Sequence, residues 1–96
     1  MNYETIPLVN NEADRRFELV VEGQTAIVEY TRTGQSMTLN HTEVPGALEG
    51  RGVGSAIVEK TLRYLEANQL RLVPLCPFVV SYLKRHPEWE RLRKEN

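Results

Sequence analysis

With 96 residues, 41% hydrophobic and 26% charged, the chain has room for one domain with a modest core, and its composition argues against disordered and membrane-spanning classes. Its 12 basic and 13 acidic residues leave a net charge of -1, so no basic excess exists to drive nucleic-acid binding through phosphate neutralisation. The single cysteine, Cys76, cannot form an internal disulfide, and no basic-then-apolar leader opens the chain; both features point to a cytoplasmic protein.

Met1 to Arg15 is polar and reads as a lead-in segment. From Arg16 to Glu22 the residues alternate, with Phe17, Leu19 and Val21 on one side. Gly23-Gln24 makes a turn, and Thr25 to Arg32 alternates again through Ala26, Val28 and Tyr30. A second turn at Thr33-Gly34-Gln35 precedes Ser36 to Val44. Short turns between period-two segments predict antiparallel hairpins, hence a β-meander. Pro45 ends the third strand because it has no amide to give a ladder.

A glycine segment follows, and Val53 to Ala67 then keeps a helical period. Val53, Ile57, Thr61 and Tyr64 form one stripe, widened by Val58, Leu62 and Leu65. Asn68-Gln69 is the expected helix exit, and Arg71 to Leu75 a short apolar strand. The strand–helix–strand order predicts that this strand runs parallel to the one before the helix. Pro77 to Arg85 reads as a second helix, and Pro87 to Lys94 as a short terminal helix carrying Trp89 and Leu92.

Glu49-Gly50-Arg51-Gly52-Val53-Gly54-Ser55 carries the strongest chemical signal. Its glycines permit a tight turn, and its amides stand at the positive end of the helix dipole, a ready cradle for phosphate or carboxylate beside the Arg51 cation. No Lys-Ser or Lys-Thr follows a glycine, which excludes a phosphate-loop nucleoside triphosphatase. The alternating glycine spacing does not fit the dinucleotide fingerprint either, and the chain is short for a doubly wound sheet. A strand-to-helix turn without ligand is the competing reading.

Cys76 closes the last strand directly before Pro77, which suits a helix's first position, so Cys76 is a predicted N-cap where the dipole favours thiolate. It is either a reactive thiol or a small packing residue. Strict alternation puts His41 and Glu43 on the face of Met37 and Leu39, where either could act as base or hold an ammonium group; a solvated strand end is the alternative. Tyr82 could reach the same cleft from the second helix or join a core stripe with Phe78, Val79 and Leu83. Lys84, Arg85 and His86 form a basic cluster suited to distal phosphates or to solvent. His41, Glu43, Cys76 and His86 lack the paired spacings of a metal site.

Taken in order, His41-Thr42-Glu43-Val44-Pro45, the glycine segment, Val73 to Val79 and Tyr82 to Trp89 resemble the GNAT acetyltransferases. The similarity is greatest to their very small stand-alone domains, and it extends from about Arg16 to Trp89. It implies an α/β (α+β) fold: a mixed, mostly antiparallel sheet, splayed between its last two strands, with flanking helices. It implies acetyl-CoA as donor, with pyrophosphate on the amides from Arg51 through Gly52, Val53 and Gly54 to Ser55, and pantetheine along Val44. Pro77, Phe78 and Lys84 complete the implied cofactor contacts. Cys76 matches the small subfamily's proposed catalytic cysteine, and Tyr82 falls near the tyrosine that protonates departing CoA in larger members.

Glu49 departs from the family loop, where glutamine or arginine stands, and is expected to point away or to fix the loop. The extra N-terminal helices of larger members are also missing, so the acceptor site must be shallow, open or completed by another molecule. The expected function is acetyl transfer to an unidentified amine, a small molecule or a protein lysine, with Cys76, His41, Glu43 and Tyr82 as the catalytic set. A CoA-binding sensor or interaction module without turnover is the alternative.

Overall fold

In a computed structural model, residues 3–94 are described; Met1, Asn2, Glu95 and Asn96, at the ends of the expected 1–96 domain, lie outside them. Five strands form one sheet in the order β1-β2-β3-β4-β5. They are β1 (Val9–Asn11), β2 (Arg16–Val21), β3 (Gln24–Thr33), β4 (Ser36–Glu43) and β5 (Arg71–Pro74). The first four pair antiparallel through their hairpins. The β4–β5 pair is parallel, from Ser36↔Arg71 to Leu39↔Pro74, because helix α1 (Val53–Ala67) carries the chain back along the sheet. Helix α2 (Pro77–Arg85) follows β5, and a 3-10 segment spans Pro87–Leu92. No helix among the described residues is long and apolar enough to cross a membrane.

Both helices lie on one face of the sheet. The inward residues of β2, β3 and β4 (Phe17, Leu19, Val21, Ala26, Val28, Tyr30, Met37 and Leu39) are all buried. They meet the α1 stripe of Val53, Ile57, Val58, Leu62 and Leu65. Burying such a stripe supplies most of a helix's stability, far more than intrinsic propensity does. The opposite face presents Glu18, Val20, Thr25, Ile27, Glu29 and Thr38, each half-buried or exposed.

Three local features differ from the sequence expectation. The lead-in holds strand β1, and Tyr3 is buried. Asn10, opposite Phe17, bridges the Tyr30 hydroxyl at 2.6 Å and the Tyr64 hydroxyl at 3.1 Å, so a polar residue sits on the core face with its side chain bonded. The terminal segment is a 3-10 turn ending at Leu92 rather than a helix to Lys94. It buries Trp89 and Leu92, and Lys94 N–H then donates to Leu72 O at 2.8 Å, covering part of the β5 edge.

The third difference shapes the site. Pairing runs Glu29↔His41 and then Tyr30↔Leu39, so Asn40 is an extra residue, a β-bulge in β4. Beyond it the facing of every side chain is exchanged. Thr42 stands opposite buried Val28 on the helix-covered face, whereas His41 and Glu43 stand opposite Glu29 and Ile27 on the open face.

Candidate active site

The glycine segment enters α1 through a short 3-10 turn, Gly46–Leu48, anchored by buried Leu48. Gly50 and Gly52 both have φ of 78°, a left-handed conformation that penalises any Cβ. Gly52 caps α1 without a side-chain bond, and no acidic residue occupies the first turn. The first helical bond runs from Ala56 N–H to Gly52 O, so the amides of Val53, Gly54 and Ser55 have no acceptor within the helix. They face a cleft of about 450 Å³ whose walls include Thr42, Val44, Leu48, Phe78 and Arg85.

Gly54 serves packing as well as the cleft. A Cβ there would lie 2.6 Å from Phe78 Cζ, so the missing side chain lets the Phe78 ring sit on α1. A larger groove of about 810 Å³ runs along the other side of the α1 N-terminus, past Tyr3, Lys60, Tyr82 and His86. Gly52 and Ser55 line both spaces. Arg51 borders the groove and is tied at both ends: its guanidinium donates to Glu22 at 3.0 Å, and its carbonyl accepts from the Tyr3 hydroxyl at 2.8 Å. Glu49 lines the cleft, with its carboxylate folded back toward Gly46.

Cys76 is the N-cap of α2 with extended backbone, and Pro77 follows at the first helical position, as expected. The main-chain amides of Leu75 and Cys76 both donate to Leu39 O, at 3.1 and 3.0 Å. Beyond Leu39 no register joins β4 to β5, and the strands part there. In that gap the Cys76 thiol donates to Thr42 Oγ1 at 3.4 Å. Burial pushes the thiol's pKa up, but the nearby Thr42 hydroxyl and the main-chain amides of Val79, Phe78 and Thr42 favour the thiolate, outweigh burial and leave the thiol more acidic than usual.

Residues 16–92 match the family model for GCN5-related N-acetyl-transferases. The chain is a member of this family. Protein NATD1 of Homo sapiens is 29% identical over 76 residues, covering 76% of this chain and 67% of that protein. Protein NATD1 of Xenopus tropicalis is 26% identical over 86 residues, covering 86% of this chain and 79% of that protein. The solution structure of a GCN5-like protein from Staphylococcus aureus superimposes with a TM-score of 0.70 over 100% of this chain and 93% of that one, at 17% identity, a likeness of fold.

Within this N-acetyltransferase-family domain the expected site residues divide into three groups. Val44, Gly52, Val53, Gly54, Ser55 and Phe78 share the smaller cleft with Thr42, a residue not among those expected; Arg51 lines the larger groove instead, and Cys76 abuts the cleft through Thr42. His41 and Glu43 do not join them. The Asn40 bulge turns both to the open face, where their side chains are 56% and 60% exposed and approach to 4.0 Å. Tyr82 is buried in the wall of the larger groove, its ring stacked on His86 at 4.3 Å. Burial, with Glu59 and Glu88 nearby, raises its pKa, although the Trp89 side chain bonds it.

Lys84 is exposed and lines neither space; its neighbour Arg85 lines the cleft instead, because helical spacing turns adjacent residues about 100° apart. Pro77 is exposed at the first turn of α2. Sequence reasoning assigned no role to Thr42, although it sits inside the His41-to-Pro45 motif. The one available signal was Asn40, a poor strand former at the point where the alternation changes phase.

Proposed function

We propose that this domain transfers an acetyl group from acetyl-CoA to an amine. The observation that carries the proposal is the set of groups that the smaller cleft brings together. Its walls include the first amides of α1, Val44 and Thr42, and Thr42 bonds Cys76 where β4 and β5 part. Bound acetyl-CoA supplies a thioester whose carbonyl carbon accepts the amine nitrogen as the carbon–sulfur bond breaks. Val53, Gly54 and Ser55 N–H groups are suited to hold a pyrophosphate, and Arg51 and Lys60 add cations along the neighbouring groove. The partly exposed His86 ring, stacked on buried Tyr82, offers a flat surface there for a nucleobase. Cys76 sits at the thioester end and either receives the acetyl group or orders the site. His41 and Glu43, on the open face, are the groups able to accept a proton from an amine arriving on that side.

Titration with acetyl-CoA, followed by thiol release in the presence of an amine panel, tests this reading. Acetyl-CoA is expected to raise the melting temperature, and at least one amine to release thiol in a time-dependent reaction. Cys76→Ser is expected to keep the CoA-dependent shift and lose the transfer. Absence of any thermal shift would overturn CoA binding. A shift without turnover would favour an acyl-CoA sensor, the reading supported by the exposure of His41 and Glu43 on an open sheet face.

A further inference from the structure

Cys76 is 3% exposed, a setting that ordinarily keeps a thiol neutral and chemically inert. Two of the groups that favour its thiolate, the amides of Phe78 and Val79, belong to its own helix and would act on any N-cap residue, and the side chain makes no capping hydrogen bond with them. The other two come from across the strand gap, and both belong to Thr42: its hydroxyl at 3.4 Å and its main-chain amide. Thr42 reaches the sulfur only because Asn40 is bulged. In a regular β4 strand the alternation would aim His41 and Glu43 at Cys76 and turn Thr42 outward.

The charged groups of the neighbouring elements do not supply this contact. His41 and Glu43 of β4 face the open side, Arg71 lies at the far end of β5, Glu59 of α1 borders the larger groove, and Lys84 of α2 is exposed. Glu49 and Arg85 line the cleft, yet the interactions that set the thiol's acidity are neutral hydrogen bonds. A hydroxyl suits both states of the sulfur: its oxygen accepts from the thiol, and after rotation its proton is donated to the thiolate.

We infer that Thr42 is a positioning residue for Cys76, holding the sulfur at the strand gap in a geometry that accommodates both thiol and thiolate. The inference gives the proposed acetyl transfer a neutral activating partner for Cys76, and to that extent rests on it. The ionisation of Cys76 can be read in the free protein, independently of transfer.

The experiment follows thiolate ultraviolet absorbance against pH in the whole protein, with Cys76→Ser as baseline so that only this sulfur is read. Thr42→Val, which removes the hydroxyl but keeps the shape, is expected to raise the midpoint by about one pH unit, the size of one hydrogen bond to a charged group. Thr42→Ser is expected to restore the midpoint, and Thr42→Ala repeats the loss if the valine variant does not fold. Unchanged midpoints in the valine or alanine variant would overturn the inference, as would a serine variant shifted as far as valine. In the transfer assay Thr42→Val is expected to lower turnover. Shifted midpoints in a protein that transfers acetyl to no amine would refute the proposed function and leave the role of Thr42 standing.

Discussion

Thr61 is the buried polar side chain of the α1 stripe. It is 0% exposed, and among the described residues its Oγ1 has no hydrogen-bond partner. A threonine in a helix commonly bonds the carbonyl one turn back, here that of Ile57, but no such bond forms. Desolvating a hydroxyl without compensation costs about 1–3 kcal/mol. Replacing it by a methyl adds roughly 0.8 kcal/mol of favourable burial. Threonine and valine have nearly equal helix propensities, so the backbone contribution cancels. Thr61→Val is therefore expected to stabilise the domain by about 1–2 kcal/mol, after allowing for imperfect fit in a close-packed core. Each kcal/mol raises Tm by roughly 4–8 °C in a domain of this size. Urea denaturation should show a higher midpoint at unchanged m value, the signature of a native-state change. Thr61→Ser, which keeps the hydroxyl and deletes the methyl, should move the other way. A valine variant no more stable than the wild type would refute the reasoning and show that the hydroxyl is satisfied in solution.

Other residues make separate predictions. Gly54→Ala places a methyl against the Phe78 ring at 2.6 Å; that ring is 37% exposed and free to swing outward. The expected overpacking cost is near the low end, about 1 kcal/mol in urea before the gain in helix propensity from alanine, and a second change, Phe78→Leu, should recover it; a double variant no more stable than Gly54→Ala, after allowing for Phe78→Leu alone, would show that the ring is not what opposes the methyl. Glu18 accepts bonds from Asn11 at 3.1 Å and Arg16 at 2.8 Å, which hold its pKa below the ordinary 4.5. A depressed folded-state value gives stability that is present above the ordinary value and lost as pH falls through the folded one. Tm should therefore drop less steeply on acidification in Glu18→Gln than in the wild type, and parallel profiles would refute the linkage. Arg51→Gln should alter Tm little, since its pair with Glu22 is solvent-exposed, yet weaken acetyl-CoA binding roughly tenfold in calorimetry if the guanidinium meets a phosphate.

Legibility in the sequence depended on how regular each segment is. Helix α1 has the bounds read from its stripe, and α2 those set by Pro77 and His86-Pro87, because period and proline both act locally. The four core strands were likewise visible from alternation and turns. Strand β1 was not, since Val9-Asn10-Asn11 has no apolar alternation and its place comes from distant partners, the Tyr30 and Tyr64 hydroxyls. The larger misreading arose in β4. Met37, Leu39, His41 and Glu43 form an unbroken period-two series that masks the bulge, and the poor strand propensity of Asn40 is its one weak sign. One residue of slip carried both titratable groups to the open face and brought Thr42 to Cys76. Of the two places open to Tyr82 the structure takes the core one: it is buried with Val79 and Leu83, on a part of α2 that borders the larger groove.

Helix α1 carries two duties, and its geometry keeps them apart. Its stripe closes the core, whereas its first three amides open onto the cleft. Thr61 lies six residues beyond Ser55, about 9 Å along the axis at 1.5 Å per residue. A stabilising change at Thr61 should thus leave the amides in place and CoA affinity unaltered, because separated sites contribute additively. Gly54 occupies the junction of the two duties, since one position both presents an amide and admits Phe78. Substitution there should disturb stability and binding together. Comparing Thr61→Val with Gly54→Ala in denaturation and CoA titration side by side therefore asks whether the cradle is a property of the helix end alone. Correlated losses at Gly54 with independence at Thr61 are the expected pattern; an affinity change at Thr61 as large as that at Gly54 would show that core and cradle respond as one unit.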